Sequence, residues 1–514
     1  MNSVKSSALV GSGPWWRALN SYHWFVLTVA ALGWLFDTMD QQLFNLARVP
    51  AMKALLKPGE DVALYGGYAT SIFLIGWATG GLTFGVLGDR IGRVKTMIWT
   101  ILIYSICTGL SALSAGFWDF AFYRFITGLG VGGEFAVGVS LVAEVMPDSA
   151  RPYALGLLQA LSAVGNIAAA LMSMALGHLE QTGVIGGAWR WMFVIGAAPA
   201  LLAILVMRRL QEPERWQAAR RSTTKFHLGS YGDLFGNEHW RRPAAVAGLF
   251  VVALIGVAFF GSPNWPKFTK LKIGIALALC ALAAGLWTIF AGKGDTRWRR
   301  NSVVGMLLAC SGVIGLWGIG FFSIDLTRSV FQKAFTAEGM DPVKIPGQLT
   351  FWAGATSVML NLGAFFGIYG FSVVSQRIGR RPTFAIGFLL AMTSTAAVFL
   401  WLKERSGIFW MIPVMGFCQL SLFGGYATYF PELFPTRLRS TGTSFCYNVG
   451  RFVAASGPAV LGLLTSEVYK SQPEPMRYAG LTMCGIFLLG LLVLPFAPET
   501  KGQQLPEDEK GFAH

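Results

Sequence analysis

Apolar runs of about twenty residues, parted by short polar loops, recur along the whole 514-residue chain. A helix needs roughly 20 mostly apolar residues to cross the hydrocarbon core of a bilayer, where backbone polar groups must be satisfied internally. The runs predict fourteen helical spans, near 22–47, 66–88, 96–115, 120–142, 153–176, 190–207, 243–261, 273–291, 302–321, 350–374, 383–401, 408–430, 441–465 and 478–497. Composition agrees: 54% of residues are hydrophobic and 13% charged, where an ordinary soluble chain has about a quarter charged. The expected fold class is an all-α polytopic membrane protein. Soluble enzymes, nucleic-acid binders and disulfide scaffolds are excluded as readings.

The net charge of +15 does not revive a nucleic-acid partner. With the N-terminus in the cytoplasm, Lys and Arg concentrate in the cytoplasmic loops, as the positive-inside rule requires. An even number of spans returns the C-terminus to the same side, so the expected location is a bacterial inner membrane with both termini cytoplasmic. The first 21 residues carry no cleavable-signal pattern, so the first span is expected to stay as an anchor. Cys107, Cys280, Cys310, Cys418, Cys446 and Cys484 all fall in predicted spans and lack CxxC spacing, which makes them packing residues. His23, His178, His227, His239 and His514 form no metal-ligand spacing with acids or cysteines. No metal, no enzyme chemistry and no cofactor are expected.

The chain repeats itself. Arg90-Ile91-Gly92-Arg93 returns as Arg377-Ile378-Gly379-Arg380, 287 residues later. The stretch from Glu144 through Pro147 to Arg151 returns as Glu432 through Pro435 to Arg439, 288 residues later. Two motifs at nearly one offset indicate duplication. Six spans fill 22–207, well short of the offset, so the excess around 243–261 and 273–291 is an insertion. The expected organisation is a six-helix bundle in 1–207, a linker with two additional helices in 208–301, and a second six-helix bundle with a tail in 302–514. The linker stretch Arg208–Arg242 reads as amphipathic chain on anionic headgroups, and the two extra helices as peripheral and lipid-facing. Parallel repeats of this kind suit a transporter with its site at the midplane between the halves.

Gly85-x-x-x-Asp89-Arg90-x-Gly92-Arg93 resembles the signature loop of the major facilitator superfamily. Glu432-Leu-Phe-Pro-Thr-x-x-Arg439, Trp189-Arg190-Trp191 and Pro498-Glu499-Thr500-Lys501-Gly502 resemble its sugar and metabolite:proton symporter branches. The extra central spans, Asp37-x-x-Asp40 and Tyr447-Asn448-Val449-Gly450 are similar to bacterial sialic-acid transporters with 14 spans. The paired first-span acids and Gly450-Arg451-Phe452 are similar to aromatic-acid:proton symporters. The resemblance implies the major facilitator fold and gating roles for Asp89, Arg90, Arg93, Glu144, Arg151, Glu432 and Arg439. The second loop departs from the pattern: Gln376 stands where the signature acid belongs and Ser372 where the glycine does. Only Asp89 can engage a helix N-terminus and neighbouring Arg through charge, which predicts an asymmetric gate. The alternative is that both loops serve topology alone.

Five ionisable residues stand inside predicted spans: Asp37, Asp40, Arg124, Glu134 and Arg451. Each costs about 2.5–3.5 kcal/mol on insertion scales, so such residues face cavities or one another. Asp37 and Asp40 share a helix face, and two desolvated carboxylates that close do not both carry charge readily. They can load and release a proton, and Glu134 is a further candidate. The alternative pairs one Asp with Arg124 and leaves the other at a helix-end bond. Arg124 and Glu134, ten apart, lie about 15 Å apart along a helix and cannot pair with each other. Gly128, Gly132 and Ala136 mark a close-packing face.

Arg451, three residues after Asn448, suits an anionic, hydroxyl-bearing substrate, because Arg binds carboxylates through two parallel bonds. Gln159, Asn166, Asn361, Gln419 and Tyr426 are further polar candidates for substrate contact, alongside Arg124; each could equally be an interhelical bond. The leading expectation is a proton-coupled symporter importing a small organic acid or sugar acid, the transported proton being the coupling ion, with the protein working as a monomer. A sugar porter or facilitator for a neutral sugar is the second reading. Drug/proton antiport is the third; Leu157–Ser173 contains no proline where exporters carry a Gly-Pro motif.

Overall fold

A computed structural model of the chain describes residues 14–60, 62–222, 228–235, 297–320, 322–342, 345–454, 457, 460, 461 and 464–507. The expected spans 243–261 and 273–291 lie outside the described residues, as do Cys280, His227, His239 and His514. Every regular element among the described residues is helical. The first half comprises α1 (Ser21–Leu55), α2 (Val62–Ile91), α3 (Arg93–Ser111), α4 (Phe117–Val145), α5 (Arg151–Gln181) and α6 (Ala188–Met207). Two linker helices follow, α7 (Glu214–Ser222) and α8 (Tyr231–Phe235). The second half comprises α9 (Arg297–Ile314), α10 (Phe322–Ala337), α11 (Ile345–Ile378), α12 (Arg380–Trp401), α13 (Met411–Tyr429), α14 (Arg439–Ala454), α15 (Pro475–Met483) and α16 (Ile486–Val493). Nine helical stretches among the described residues are long and apolar enough to cross a membrane.

Boundaries move where the hydrophobic pattern and the helix disagree. The span expected at 22–47 runs on to Leu55 through Pro50, and the one expected at 302–321 belongs to an apolar stretch from Arg297 to Ala337. Between α9 and α10 the helix widens into a π turn, Gly315–Gly320, of sequence GLWGIG. The glycines there meet large neighbours: a Cβ on Gly315 would strike Phe487, and one on Gly320 would strike the Gln419 amide.

The duplication is visible in the packing. In the first half α2 packs on α4, α3 on α4, and α1 on α5; in the second α11 packs on α13, α12 on α13, and α9 on α14. Glycines bring the first of these pairs together. Gly76 and Gly80 meet the backbone carbonyls of Phe125 and Leu129, while Gly128 and Gly132 meet those of Phe73 and Trp77. In the second half Gly363 and Gly367 meet the carbonyls of Pro413 and Phe417, and Gly416 that of Leu360. Small residues let helix backbones approach where apolar burial gives no net drive in lipid.

Single glycines also join α2 to α3 and α11 to α12. Gly92 has φ of 119° and Gly379 of 101°, a left-handed region that other residues enter at a cost. Each turn leaves the next helix N-terminus open, and a distant glutamate closes it. Glu212 accepts from the backbone N–H of Arg93 at 2.8 Å and of Val94 at 3.1 Å. Glu499 accepts from Arg380 at 2.9 Å and Arg381 at 3.0 Å. Burial pushes the Glu499 carboxyl up, but the N–H groups of Arg380, Lys501 and Arg381, with the Arg380 charge, hold it below the usual glutamate range. The two halves then meet through α2, α4 and α5 against α11, α13 and α14.

Candidate functional site: a central cavity, a buried charge pair and a one-sided latch

A cavity lies between the halves. Its wall includes Gln41, Gln42, Gln159 and Asn166 from the first half, Asn361 and Arg451 from the second, and aromatic side chains from both. Two amide bridges cross the interface here: Asn166 Nδ2 donates to Asn361 Oδ1 at 2.9 Å, and Gln42 Nε2 to Ser357 Oγ at 3.2 Å.

Arg451 is the cation of this cavity. Its guanidinium carbon sits 3.7 Å from the Trp77 ring centroid and 4.1 Å from that of Tyr447, so rings cover both faces. Phe135 stacks on Tyr447 at 4.1 Å, and Trp317, on the π turn, meets Trp77 edge-on at 5.8 Å. Nη1 donates to Asn448 Oδ1 at 3.1 Å, while Nε has no partner among the described residues. With the faces closed and one corner held, the planar edge is what remains for an incoming oxyanion.

The other expected charges lie in the wall of the first half. Asp40 Oδ2 stands 3.5 Å from Arg124 Nη1, and Thr108 donates to Asp40 Oδ1 at 2.8 Å. Arg124 is further held by Ser111 and Thr127 and faces the Phe193 ring at 4.7 Å. Both members are fully buried, and Arg124 is not part of the cavity wall. Asp37 accepts a bond from Gln41 Nε2 at 3.3 Å through Oδ2, while its Oδ1 and both Glu134 carboxylate oxygens lack partners among the described residues. A Cβ on Gly33, one turn before Asp37, would collide with Glu134, which sets the two acids side by side.

Of the expected substrate contacts, Gln159, Asn166, Asn361 and Arg451 line the cavity. The structure places Arg124, Asn448, Gln419 and Tyr426 elsewhere. Asn448 packs on Gly81 and holds Arg451. Gln419 donates to the Gly315 carbonyl at 2.9 Å and Tyr426 to the Leu308 carbonyl at 2.7 Å, so both brace the helix around the π turn. Sequence reading missed Gln41 and Gln42, although two amides directly after Asp40 in an apolar run were a signal. It also missed Trp77 and Trp317, for which an aromatic inside a span gives no signal. Among the described residues no group of three His, Cys, Asp or Glu is placed to hold a metal.

The repeated loops gather on one face, and their geometry is lopsided. Asp89 accepts from the backbone N–H of Ser440 and Thr441 at 3.2 and 2.8 Å and from the Thr441 hydroxyl at 2.6 Å, and it pairs with Arg93 at 3.0 Å. It thus caps α14, a helix of the opposite half. Glu144 pairs with Arg93 and with Arg439 at 2.9 Å each, and Arg93 donates to the Thr436 carbonyl at 2.7 Å.

The ion pairs of the second copy stay within one half each. Glu432 pairs with Arg380 at 2.8 Å and accepts from Thr500 at 2.5 Å, and Arg151 turns to Asp148. Gln376, its amide oxygen toward Arg380, accepts from Nη1 and Nη2 at 3.0 and 2.9 Å. The helix it would cap, α5, begins Arg151-Pro152, and proline offers no N–H. Ser372 has its own complement: it faces Gly156, whereas Gly85 faces Ser444. Arg90 bridges neither pair; it donates to the carbonyls of Leu228 and Gly229 at 3.2 Å. The linker there straps the latch, since Asp233 pairs with Arg437 at 2.7 Å and the Tyr231 hydroxyl donates to the Leu82 carbonyl at 2.8 Å.

The Major Facilitator Superfamily model matches residues 19–340 and 342–513. A niacin transporter of Acinetobacter baylyi is 26% identical over 445 residues, covering 86% of this chain and 87% of that one. The sialic acid transporter NanX of Escherichia coli is 25% identical over 457 residues, covering 88% and 90%. A solved structure of the proton:xylose symporter XylE bound to 6-bromo-6-deoxy-D-glucose aligns with a TM-score of 0.65 at 16% identity, over 94% of this chain and 98% of that one. That likeness concerns the fold alone.

Proposed function

The chain belongs to the major facilitator superfamily and is a multi-pass membrane transporter, and within that family we propose that it imports a small organic acid or sugar acid together with a proton, by alternating access. The observation that carries this reading is Arg451: a buried cation on the wall of the inter-half cavity, with both faces under aromatic rings and an edge left for a carboxylate. A neutral solute gives such a cation nothing to pair with. Niacin and sialic acid, named for two relatives, are both carboxylic acids.

Asp37, with Asp40 and Glu134, supplies the proton-coupling acids, and the proton is the coupling ion. The latch face is the cytoplasmic one, both termini lie there, and the membrane is a bacterial inner membrane. The working unit is the monomer, organised as 1–207, 208–301 and 302–514. The Asp89, Arg93, Glu144 and Arg439 cluster opens and closes once per cycle.

A second reading has its own support. Gln41, Gln42, Asn45, Gln159, Asn166 and Asn361 make the cavity rich in amides, which suit sugar hydroxyls. Reconstituted vesicles offered benzoate, nicotinate, N-acetylneuraminate and xylose separate the two. The expected result is saturable uptake of a carboxylate, driven by an inward proton gradient and reduced at least about tenfold by Arg451→Ala, the loss of one charge-assisted pair. Uptake of xylose insensitive to pH and to Arg451→Ala overturns the first reading in favour of the second.

A further inference from the structure

We propose that the side-chain amide of Gln41 couples substrate to proton, by turning over when Asp37 gains a proton and so exchanging an acceptor for two donors on the cavity wall. The proposal rests on the proton-coupled reading above and adds the residue through which the acid and the cavity sense each other.

Gln41 stands between the two. It lies one helical turn after Asp37, donates Nε2 to Asp37 Oδ2 at 3.3 Å, and belongs to the same cavity wall as Arg451. It is the direct hydrogen-bonded link between the acid and that wall, because Asp37 itself is fully buried beneath it. A bare carboxylate only accepts hydrogen bonds, so a neighbouring amide must present its NH2 to it. That leaves the amide oxygen on the far side of the same carbon, away from Asp37. An anion entering the cavity then meets an acceptor, which repels it.

Protonation reverses the demand. The proton arrives from water, bonds to Asp37 Oδ2, and leaves the acid with one O–H donor. The matching partner is Gln41 Oε1, which a half-turn about the terminal torsion brings into place. That torsion is broad and nearly two-fold, and the two ends of the amide have almost the same shape, so the turn needs no movement of the helix. No covalent bond of Gln41 changes. The NH2 now faces away from Asp37, and the cavity offers donors for an oxyanion beside Arg451. Proton and anion each favour the other's binding, and the effect must be equal in both directions.

The charged and titratable groups around Asp37 fit a site that alternates between two protonation states. Glu134 faces it from α4, Tyr104 from α3, Arg451 and Tyr447 from α14, and Asp40 shares its own helix. Asp40 is already paired with Arg124. Asp37 and Glu134 have no such partner: three of their four oxygens accept no bond among the described residues. Arg451 draws on both sides, since it interacts with Asp37 and lines the cavity. An anion taken up there competes with the Asp37 carboxylate for the same cation, and the amide turn adds a geometric step to that competition.

Reconstituted protein tests this through the pH profile of KM. The probe is whichever of benzoate, nicotinate and N-acetylneuraminate the wild type takes up fastest. In the wild type, KM rises with pH by up to about tenfold per unit, as expected when one proton is bound with the anion. Gln41→Met, of similar length and without an amide, and Gln41→Leu as a second apolar variant, are expected to raise KM at low pH and to flatten its rise to no more than about twofold per unit, the remainder being the direct competition for Arg451. A residue that merely packs would lower kcat at every pH and leave the slope intact. Retention of the wild-type slope in both folded variants overturns the proposal. Uptake of none of the three carboxylates overturns the proton-coupled reading, and this proposal with it. If Asp37→Asn abolishes the proton drive while both Gln41 variants keep the slope, the earlier reading stands and only the relay falls.

Discussion

Two arginines buried in one apolar molecule stand in different surroundings. Arg124 is enclosed by Asp40, Thr108, Ser111 and Thr127 inside the first half, whereas Arg451 borders the cavity. Removing one member of a buried pair strands the other, at about 3–5 kcal/mol, while removing both is often tolerated. Arg124→Ala is therefore expected to lower the thermal midpoint of detergent-solubilised protein sharply, and Arg124→Ala with Asp40→Asn to recover most of it. A double variant as unstable as the single one would show that Arg124 is held by something other than Asp40. At this scale the sequence was readable for charge and mute for geometry. A charged residue in an apolar run must be satisfied somewhere, which is why Asp37, Asp40, Arg124, Glu134 and Arg451 stand out from composition alone. Amides carry no such compulsion: Gln419 braces a backbone carbonyl and Gln159 lines the cavity, and nothing in their local sequence tells them apart.

Among the elements, the repeated loops form the contacts of the latch face. The 287-residue repeat made both copies legible, and the loss of the acid at Gln376 predicted that they would differ. What the sequence did not make plain was how the second copy is retuned as a set. Pro152 removes the N–H that an acid would accept, Ser372 is matched by Gly156, and Glu432 stays with Arg380 and Thr500. Pro152 and Gly156 sit on a helix more than a hundred residues before Gln376 and Ser372, and only the fold brings them together. Asp89 ties α14 to the first half through three hydrogen bonds, two of them to the helix N-terminus. Asp89→Asn is expected to cut turnover about tenfold or more, in line with losing charge-assisted bonds across the gate, while Gln376→Ala leaves it within about twofold. Initial uptake rates in vesicles, normalised to inserted protein, make the comparison; equal losses would mean that the gate is symmetric after all.

For the whole molecule, two similar bundles face each other across an amide-lined cavity, closed on the latch face by charge and by the linker strap. The duplication and the helical character were legible because apolar runs and paired motifs are long, redundant signals. The aromatic cover on Arg451 was not, because it joins Trp77 of one half to Tyr447 of the other. Such a contact exists only once the halves have met. On the proposed alternating-access reading, one site serves both faces in turn when breaking the Asp89 and Glu144 contacts frees the halves to rock about the cavity. The central claim is that an anion and a proton enter together. Its most direct test is proton flux: vesicles holding a pH-sensitive dye, with no imposed pH gradient, receive benzoate, nicotinate or N-acetylneuraminate outside. The account predicts internal acidification in step with uptake of the carboxylate, absent in Asp37→Asn and Arg451→Ala. Protein-dependent carboxylate uptake with no acidification of the lumen would contradict it.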